Sequence, residues 1–442
     1  MSTNRRTFLK TSALGTAGLG MTGTAAGSLL APSSVLGANE KVTVALIGAR
    51  NMGWSNLRDI LQQPHVECKT LCDVDNQVLA DKTAELIRMG HKKPKIQKDY
   101  RKVIDDRDID AVIIGTPDHW HCLPMVDASA EGKHVYVEKP LANSVAEINV
   151  MLDAARKYGN LVQVGQQQRS GTHWRSAIDF VRSGKLGPIR QVKYWANFNY
   201  GAGNMPVLDS DPPPGVDYDR WLGPAPDRPF NRNRFHGSWR MFRDYGGGLM
   251  TDWGVHLIDM GLWAMEVDAP PRTVRSAGGN FANQDRALEM PDTLHVLYDM
   301  GDYLMTWEHN GGVQHGPYDQ LYGVKFLGTN GSLVADRDKW RVFPEWGEED
   351  WRMEEVPEQP KENNSHLDHC ENFIRAIRHG DSLAAGIEVG HMAALYAHLG
   401  NISYWSGEKV IYDEKTRSIP GSEKANALVT PSYRSPWKLP VV

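Results

Sequence analysis

The chain is poor in cysteine: its 442 residues include only Cys68, Cys72, Cys122 and Cys370. Four thiols are too few to form a disulfide framework in a chain of this length. Cys68 and Cys72 lie four residues apart on a predicted strand, which separates them by about 13 Å, beyond the reach of a disulfide bond. We therefore expect a fold that does not depend on disulfide bonds.

Long basic runs and internal repeats are also missing. The formal charge is −5, from 49 basic and 54 acidic residues, so no surface that neutralises the phosphates of a nucleic acid is expected. Hydrophobic residues make up 41% and charged residues 23% of the chain, which are ordinary values for globular proteins and exclude a disordered or fibrous chain. A chain of this length is expected to fold into two or three compact units.

Acidic residues are absent from the first 38 positions, which contain Arg5, Arg6 and Lys10 and carry a charge of +3, leaving −8 on residues 39–442. A basic start, a mildly apolar stretch and small residues before Ala38 follow the order of an export signal. The paired arginines followed by Phe-Leu-Lys resemble a twin-arginine signal. We therefore predict that residues 1–38 are a signal peptide, cleaved near Ala38, and that the twin-arginine export machinery delivers the mature protein to the periplasm.

A membrane anchor is not expected in this segment, because its apolar stretch is rich in Gly and Thr and no cysteine precedes Cys68 to carry a lipid. The alternative is an N-terminal tail whose paired arginines have no targeting role. Recovery of the full-length protein from the cytoplasm would favour that alternative.

Predicted strands and helices alternate from Lys41 onwards. Five short apolar segments, each followed by a helical stretch, are typical of parallel strands that are buried on both faces. Five such alternations within about 125 residues predict a doubly wound parallel sheet with right-handed crossovers, so we assign residues 39–165 to an α/β domain of the Rossmann type. The predicted strands are 42–47, 66–72, 111–114, 134–137 and 161–164.

A dinucleotide-binding signal lies in the first turn of this domain. Gly48 and Gly53 stand at the first and third glycine positions of the fingerprint, whereas Arg50 replaces the middle glycine. The turn follows a strand and opens a helix, and Asp73, 20 residues after Gly53, ends the next strand, where a carboxylate binds both ribose hydroxyls. Because a carboxylate repels a 2′-phosphate, NAD is favoured over NADP.

The role of Arg50 stays open at this stage. Its guanidinium can turn toward the pyrophosphate, it can weaken cofactor binding, or it can be a surface arginine in a purely structural turn. Further candidates follow later strands, at the carboxyl ends where ligands of open α/β sheets bind. The predicted cofactor-binding residues are Gly48, Arg50, Asn51, Met52, Gly53, Asp73, Thr116, Pro117, His121, Glu138 and Lys139. For His121, helix capping or core packing is an equally good interpretation.

Two motifs, in this order along the chain, resemble those of a known family. The first is Glu138-Lys139-Pro140, and the second is the segment 247–259, which reads Gly-Gly-x-x-x-Asp-x-Gly-x-His-x-x-Asp. Together with the Rossmann half, they resemble the Gfo/Idh/MocA family, whose members include glucose-fructose oxidoreductase and inositol dehydrogenase and use pyridine nucleotides to act on sugars and cyclitols. The resemblance extends over nearly all of residues 41–442.

The resemblance implies a second, α+β domain over residues 166–442, built on a large open antiparallel sheet, with sugar bound in the cleft between that sheet and the nicotinamide. Lys139, Asp252 and His256 match the catalytic positions of the family. Hydride leaves a carbinol carbon only as its hydroxyl proton is removed, which suits His256 as the base and Lys139 as the cation that stabilises the alkoxide. A helix would place Asp252 and His256 on one face, although an ordinary surface pair would show the same spacing.

Other parts of the second region supply candidate substrate contacts. Gln167 and Arg169 follow the last Rossmann strand, where they can reach substrate hydroxyls or simply form a polar crossover. Trp239 lies in a long irregular segment, 199–246, whose aromatic residues argue against disorder. We predict substrate binding by these three residues together with Asp252 and His256, late helices within 366–405 that pack back on the Rossmann domain, and no metal site. The predicted strands are 189–198, 272–280, 293–298, 303–309, 322–328 and 331–335.

These features predict an exported NAD-dependent oxidoreductase of sugars or cyclitols that keeps its cofactor tightly bound. Two alternatives remain open: an NAD-dependent glycosidase or lyase that oxidises the sugar transiently and then eliminates, and a non-catalytic sugar-binding scaffold, for which Arg50 is the main support. We also expect a homo-oligomer, a dimer or a tetramer, formed through the C-terminal sheet. No nucleic-acid partner is expected.

Overall fold

Two β-sheets form the frame of residues 41–442, the part of the chain that the computed structural model describes. The predicted signal peptide, 1–38, lies outside the described residues. In residues 41–442 no helix is both long and apolar enough to cross a membrane.

The first sheet has six parallel strands in the order β3-β2-β1-β4-β5-β6. The predicted doubly wound sheet is therefore confirmed. The sequence analysis missed β3, which is three residues long and largely exposed, so it shows no apolar pattern. The strands are β1 Val42–Ile47, β2 Val66–Cys72, β3 Lys95–Gln97, β4 Ala111–Ile114, β5 His134–Val137 and β6 Val162–Val164.

Helices cover both faces of this sheet, and their local sequences explain where they begin. Ser144 caps one helix through the backbone N–H of Glu147 and donates to the Glu147 carboxylate, which is a capping box. The helix ends at Gly159, which adopts the left-handed conformation (φ 67°). The helices of the first half are α1 Asn51–Ile60, α2 Asn76–Arg88, α3 Arg101–Ile104, α4 Cys122–Ala130 and α5 Val145–Tyr158.

The second sheet has eight strands in the order β14-β13-β12-β11-β7-β10-β9-β8. It is antiparallel, as expected, except that β7 and β10 are parallel. That pair is possible because the chain between the two strands crosses over through helices before it returns. The strands are β7 Gln191–Ala196, β8 Thr273–Gly279, β9 Thr293–Asp299, β10 Leu304–Asn310, β11 Tyr322–Leu327, β12 Gly331–Ala335, β13 Lys339–Pro344 and β14 Gln359–Pro360.

The remaining helices join the two sheets. One continuous apolar core runs from Val112 in β4 to Trp307 in β10. Late helices pack against early ones: the helix that begins at Ser365 lies on α1, and the helix that begins at Ile387 lies on α5. These helices are α6 Thr172–Arg182, α7 Tyr218–Leu222, α8 Gly248–Asp252, α9 Gly254–Ala264, α10 Ser365–His379, α11 Ile387–Ser406 and α12 Glu423–Asn426.

The segment that carries Asp252 and His256 differs from the prediction of one helix. Asp252 ends α8 and His256 lies in the first turn of α9, with a break at Trp253 (φ −106°, ψ −32°). The backbone N–H of His256 bonds to the carbonyl of Trp253, three residues back, which tightens the chain at the break. The two side chains therefore come from two short helices rather than from one face of a single helix.

Residues 199–246, here named the flap, fold over the carboxyl edge of the first sheet. Their buried aromatic side chains, including Trp221, Phe235 and Trp239, form a small core of their own. Backbone hydrogen bonds join the flap to the residues after β2, from Asp217 N–H to Val74 C=O (2.9 Å) and from Asn76 N–H to Gly215 C=O (3.2 Å). The flap is thus an ordered element that covers the edge where a dinucleotide binds.

Candidate active site

A cleft lies between the carboxyl ends of the parallel strands and the flap. Two of the predicted cofactor residues do not line it: Gly53 lies within α1, and His121 is buried behind the cleft wall. Those that do line it are Gly48, Arg50, Asn51, Met52, Asp73, Thr116, Pro117, Glu138 and Lys139.

The turn after β1 is shaped for the pyrophosphate of a dinucleotide. Gly48 has φ +86°, and a Cβ there would lie 2.7 Å from the backbone of Gly115, so only glycine fits. A Cβ on Gly53 would lie 2.3 Å from the carbonyl oxygen of Gly48. The turn thus places backbone N–H groups at the N-terminus of α1, where an anion binds.

Arg50 and Asp73 stand on either side of this turn. Nη1 of Arg50 is buried and has no hydrogen-bond partner within residues 41–442, which leaves it available to a phosphate oxygen. Asp73 Oδ2 accepts a hydrogen bond from the Ala49 N–H (2.8 Å), and Oδ1 accepts one from the Asp75 N–H (3.1 Å). Burial raises the pKa of Asp73. These groups fit an NAD molecule, with the Asp73 carboxylate at the ribose position.

His121 has a structural environment. Its ring nitrogens lie 2.8 Å from the carbonyl oxygen of Pro140 and 2.9 Å from that of Thr116. Burial lowers its pKa to about 4. The ring therefore links the loop after β4 to the loop after β5, which is the placement of a positioning residue.

Lys139 and Asp252 meet at the end of the cleft. Nζ of Lys139 donates to Oδ1 of Asp252 (2.6 Å) and to its backbone carbonyl (2.8 Å). Asp252 also accepts from Nε of Arg240 on Oδ1 (3.0 Å) and from the Tyr200 hydroxyl on Oδ2 (2.7 Å). Although burial opposes ionisation, Lys139 and Arg240 hold the pKa of Asp252 far below its usual range. This carboxylate therefore stays charged and fixes the position of the Lys139 ammonium.

His256 lies behind this pair. It is buried and packs against Trp253, with ring centroids 6.0 Å apart. It does not line the cleft, and its Nδ1 has no hydrogen-bond partner in the described part of the chain. Burial and the nearby Lys139 charge hold the pKa of His256 well below its usual value. The ring is therefore neutral at pH 7 and can accept a proton.

Asp118 is a cleft residue that the sequence analysis did not select. It follows Pro117 after β4, it is 3% exposed, and its carboxyl forms no hydrogen bond with any of residues 41–442. Burial raises its pKa well above the usual value, despite the charges of Arg240 and Lys139. The cleft thus contains a buried carboxyl group beside two cations, and the direction of its pKa shift favours the protonated form. No signal in the sequence separates it from a helix-capping aspartate.

The predicted substrate residues after β6 are placed differently from one another. Arg169 pairs with Asp259 through three contacts of 2.7–3.0 Å and stacks on Trp263, in a separate concavity. Gln167 is partly exposed, whereas Gln166 and Gln168 are buried and have amide oxygens that find no hydrogen-bond partner within residues 41–442. The inward polar groups of this segment are therefore the residues on either side of Gln167.

Trp239 lines the cleft, where the Arg240 guanidinium stacks on its ring at 4.3 Å. The flap therefore contributes an aromatic face next to the Asp252 cluster, as expected for a sugar site.

One group of metal-ligating types occurs among the described residues, formed by Asp59, His366 and Cys370. The His366 nitrogens already contact Asp59 Oδ2 and Asn56 Oδ1, both at 2.7 Å. Burial raises the pKa of the Cys370 thiol well above its usual value. The packing of α10 on α1 explains why these three side chains lie close together.

Two family models match the chain. Residues 42–166 match "Oxidoreductase family, NAD-binding Rossmann fold", and residues 180–286 match "Oxidoreductase family, C-terminal alpha/beta domain". Both describe the Gfo/Idh/MocA oxidoreductases. This chain belongs to the Gfo/Idh/MocA family. The resemblance seen in the two sequence motifs is thereby confirmed, and so is the NAD-binding Rossmann domain.

Curated relatives of this Gfo/Idh/MocA protein include two kinds of enzyme. The "Uncharacterized oxidoreductase YrbE" of Bacillus subtilis is 26% identical over 302 residues, which cover 68% of this chain and 75% of the relative. The "Alpha-N-acetylgalactosaminidase" of Shewanella oneidensis is 30% identical over 202 residues, which cover 42% of this chain and 44% of the relative. The match to the glycosidase therefore spans less than half of either protein.

Solved structures share the fold over most of its length. A levoglucosan dehydrogenase in complex with NADH and levoglucosan has a TM-score of 0.64 and 20% identity, and covers 84% of this chain and 99% of its own. The aldose-aldose oxidoreductase of Caulobacter crescentus, complexed with glycerol, has a TM-score of 0.63 and 18% identity with the same coverage. At 20% and 18% identity, these similarities show that the fold is shared and nothing beyond it.

Proposed function

We propose that this Gfo/Idh/MocA oxidoreductase acts on a CH–OH group of a sugar or cyclitol. The observation that supports this most is the Lys139 ammonium, which is fixed by the ionised Asp252 at the end of the cleft that begins at the dinucleotide turn. When bound, NAD supplies the acceptor for the hydride of the carbinol carbon. Arg50 and the N-terminus of α1 hold its pyrophosphate, and Asp73 holds its ribose.

Three side chains of the protein stabilise the developing charge and accept the proton. Nζ of Lys139 has donors beyond those used by Asp252 and stabilises the negative charge that develops on the carbinol oxygen. We propose His256 as the acceptor of the hydroxyl proton, because it is neutral at pH 7 and its Nδ1, behind Lys139 and Asp252, has no hydrogen-bond partner among residues 41–442. Asp252 orients Lys139 and stays charged because Arg240 and Lys139 surround it.

Activity toward a panel of sugars and cyclitols tests this proposal. Purified protein with NAD is expected to gain absorbance at 340 nm with at least one of the substrates glucose, galactose, glucuronate and myo-inositol. An absence of nicotinamide reduction with all four, in protein that binds NAD, would contradict it.

We further propose that NAD is bound before export, stays bound, and is recycled by a second substrate in the periplasm. The flap supports slow release, because it closes over the residues after β2, where His236 of the flap bonds to Asp75 Oδ2 (2.8 Å). Mass and absorbance of the ligand that copurifies with periplasmic protein test this. A protein without nicotinamide that requires millimolar NAD would overturn tight retention.

The export proposal is tested separately, by replacing both Arg5 and Arg6 with lysine. This conservative change keeps the charge of the segment and removes the arginine pair. We expect the uncleaved chain to remain in the cytoplasm, whereas unchanged recovery from the periplasm would contradict the twin-arginine route.

A second candidate function is a glycosidase or lyase that acts by transient sugar oxidation. The glycosidase relatives support it, and so does the buried Asp118, because a raised pKa suits an acid that protonates a leaving group. Aryl glycosides separate the two functions, because phenol release without net reduction of NAD favours the glycosidase. The oxidoreductase remains the first choice because the Lys139, Asp252 and His256 positions match the dehydrogenase pattern.

We also propose a homo-oligomer that forms on the open face of the eight-stranded sheet. Leu297, Leu304 and Phe343 are 39%, 40% and 38% exposed on its strands, and such exposed apolar side chains on one sheet are typical of an interface. Light scattering after size exclusion is expected to give the mass of a dimer or tetramer. A monomer at micromolar concentration would contradict this proposal.

A further inference from the structure

Arg337 is a cation without an anionic partner at the edge of the Asp252 cluster. It follows β12, and its guanidinium stacks on Trp253 at 4.4 Å and lies 5.9 Å from the ring of Tyr322. Its Nε is buried without a hydrogen-bond partner, and Arg337 forms no ion pair within residues 41–442. Trp253, on which Arg337 stacks, also packs against His256, which places Arg337 beside the catalytic groups.

The carboxylates around Arg337 either accept hydrogen bonds from other groups or are exposed to solvent. Asp252 is bound by the three donors described above. Asp336 accepts hydrogen bonds from Nε2 of Gln320 (2.6 Å) and from the backbone N–H groups of Asp338 and Lys339. Asp338 itself is exposed. No carboxylate of the described chain therefore pairs with this guanidinium.

Lys139 and Arg240 contact the carboxylate of Asp252, and Arg337 is a third cation, stacked on the adjacent Trp253. A guanidinium does not lose its proton in proteins. Because it is costly to withdraw such a charge from water without a partner, a partly buried arginine that forms no ion pair is most useful where an anion binds.

We propose that the substrate carries an anionic substituent and that Arg337 binds it. This inference rests on the proposed oxidoreductase function and names its substrate class: a sugar acid, or a phosphate or sulfate ester of a sugar. A guanidinium donates two parallel hydrogen bonds to a carboxylate and uses the same donors for a phosphate or sulfate. The aromatic rings beneath it hold its plane fixed.

Calorimetric binding to NAD-loaded protein tests the proposal, with glucose, glucuronate, glucose 6-phosphate and glucose 6-sulfate as probes. We expect at least one charged probe to bind about 10-fold or more tightly than glucose, since one charge-assisted pair is worth that much. In Arg337→Gln this preference, the ratio of the charged-probe affinity to the glucose affinity, should fall to less than about threefold. The charged probe that shows the preference identifies the substituent.

Two further variants make the result specific. Arg243 stacks on Trp405 at 4.4 Å, whereas Arg337 stacks on Trp253, so Arg243→Gln is a matched control and should keep the wild-type preference. If Arg337→Gln does not fold, Arg337→Lys retains the charge, loses the planar fork, and should show an intermediate preference.

Two results would overturn the inference. Glucose bound or oxidised as well as every charged probe would contradict the anionic substrate and leave the oxidoreductase function intact. A charged-probe preference that persists in Arg337→Gln would contradict the role of Arg337. Absence of both binding and oxidation for all probes would contradict the proposed function as well.

Discussion

At the residue scale, Arg50 replaces a glycine that normally lets the backbone approach the cofactor. Its Nη1 is buried and unpartnered in the turn, so we interpret it as a substitute donor to the pyrophosphate. Arg50→Ala is expected to weaken NAD binding about 10-fold, the usual effect of losing one charge-assisted hydrogen bond. Fluorescence titration measures it, with Arg58→Ala, on a half-exposed side chain of α1, as control. Unchanged affinity would return Arg50 to a purely structural role.

Asp118 gives a pH dependence that can be measured. Because burial raises its pKa in the folded protein, the folded state binds this proton more tightly than the unfolded state, so stability falls as pH rises above the unfolded value near 3.8. Asp118→Asn keeps the shape without the charge. We expect it to melt at a higher temperature than the wild type at pH 8 and at the same temperature near pH 3.5. An equal or lower melting temperature at pH 8 would show that Asp118 is ionised and paired.

Some site residues could be predicted from the sequence and others could not. Lys139 and Asp252 each lie in a sequence motif, and in the structure Nζ of Lys139 lies 2.6 Å from Oδ1 of Asp252. Asp118 and Arg337 belong to no recognisable motif. They stand out only because no oppositely charged side chain pairs with them among the described residues, and tertiary packing alone determines this. Gln166 and Gln168 are buried while the predicted Gln167 is partly exposed, because the turn after β6 breaks the alternation of the strand.

At the scale of elements, the flap explains cofactor retention. Its His236 donates to Asp75, which also caps α2 through the N–H groups of Gln77 and Val78. We expect His236→Ala to release NAD about 10-fold faster, because a hydrogen bond to a charged group is lost. Stopped-flow displacement measures the rate. Tyr218→Phe removes a bond within the flap, to Pro229 C=O, and should leave the rate unchanged; equal rates in all three proteins would mean that the flap does not retain NAD.

The C-terminal tail is attached to α5 through a buried acid. Glu147 accepts from the Tyr433 hydroxyl (2.6 Å), and burial raises its pKa to about 7. Stability should therefore fall as pH rises from the unfolded value of 4.5 to about 7, by roughly 3 kcal/mol for such a shift. Glu147→Gln is expected to remove this slope in urea unfolding between pH 5 and 8. A wild-type slope in the variant would assign the dependence to other groups.

Element boundaries followed local patterns except where long-range pairing decided them. Strands that are buried throughout, such as β1 and β4, were predicted from their apolar runs. The parallel pairing of β7 with β10 depends on the crossover between them and leaves no mark in either strand. The break at Trp253 was missed because the spacing of Asp252 and His256 is equally compatible with one helix and with two.

At the scale of the whole molecule, the net charge is negative, whereas positive side chains cluster near Asp252. Residues 39–442 carry −8, whereas Lys139 and Arg240 contact Asp252 and Arg337 stacks on the neighbouring Trp253. A net negative surface keeps the protein soluble and weakens long-range attraction of anions, so we expect capture of an anionic substrate to depend on short-range contacts. The joined core of the two sheets keeps those contacts rigid, since α11 packs on both α5 and β8.

The central claim is that Lys139, held by Asp252, acts on the carbinol oxygen of a sugar next to bound NAD. Its most direct test is the absorbance at 340 nm after rapid mixing of NAD-loaded protein with substrate, in the wild type, in Lys139→Met and in Lys98→Met, a second lysine that lines the cleft. We expect Lys139→Met, once loaded with NAD, to reduce it about 10²–10⁴-fold more slowly, while Lys98→Met reduces it at nearly the wild-type rate. Equal rates in the wild type and in Lys139→Met would contradict the account.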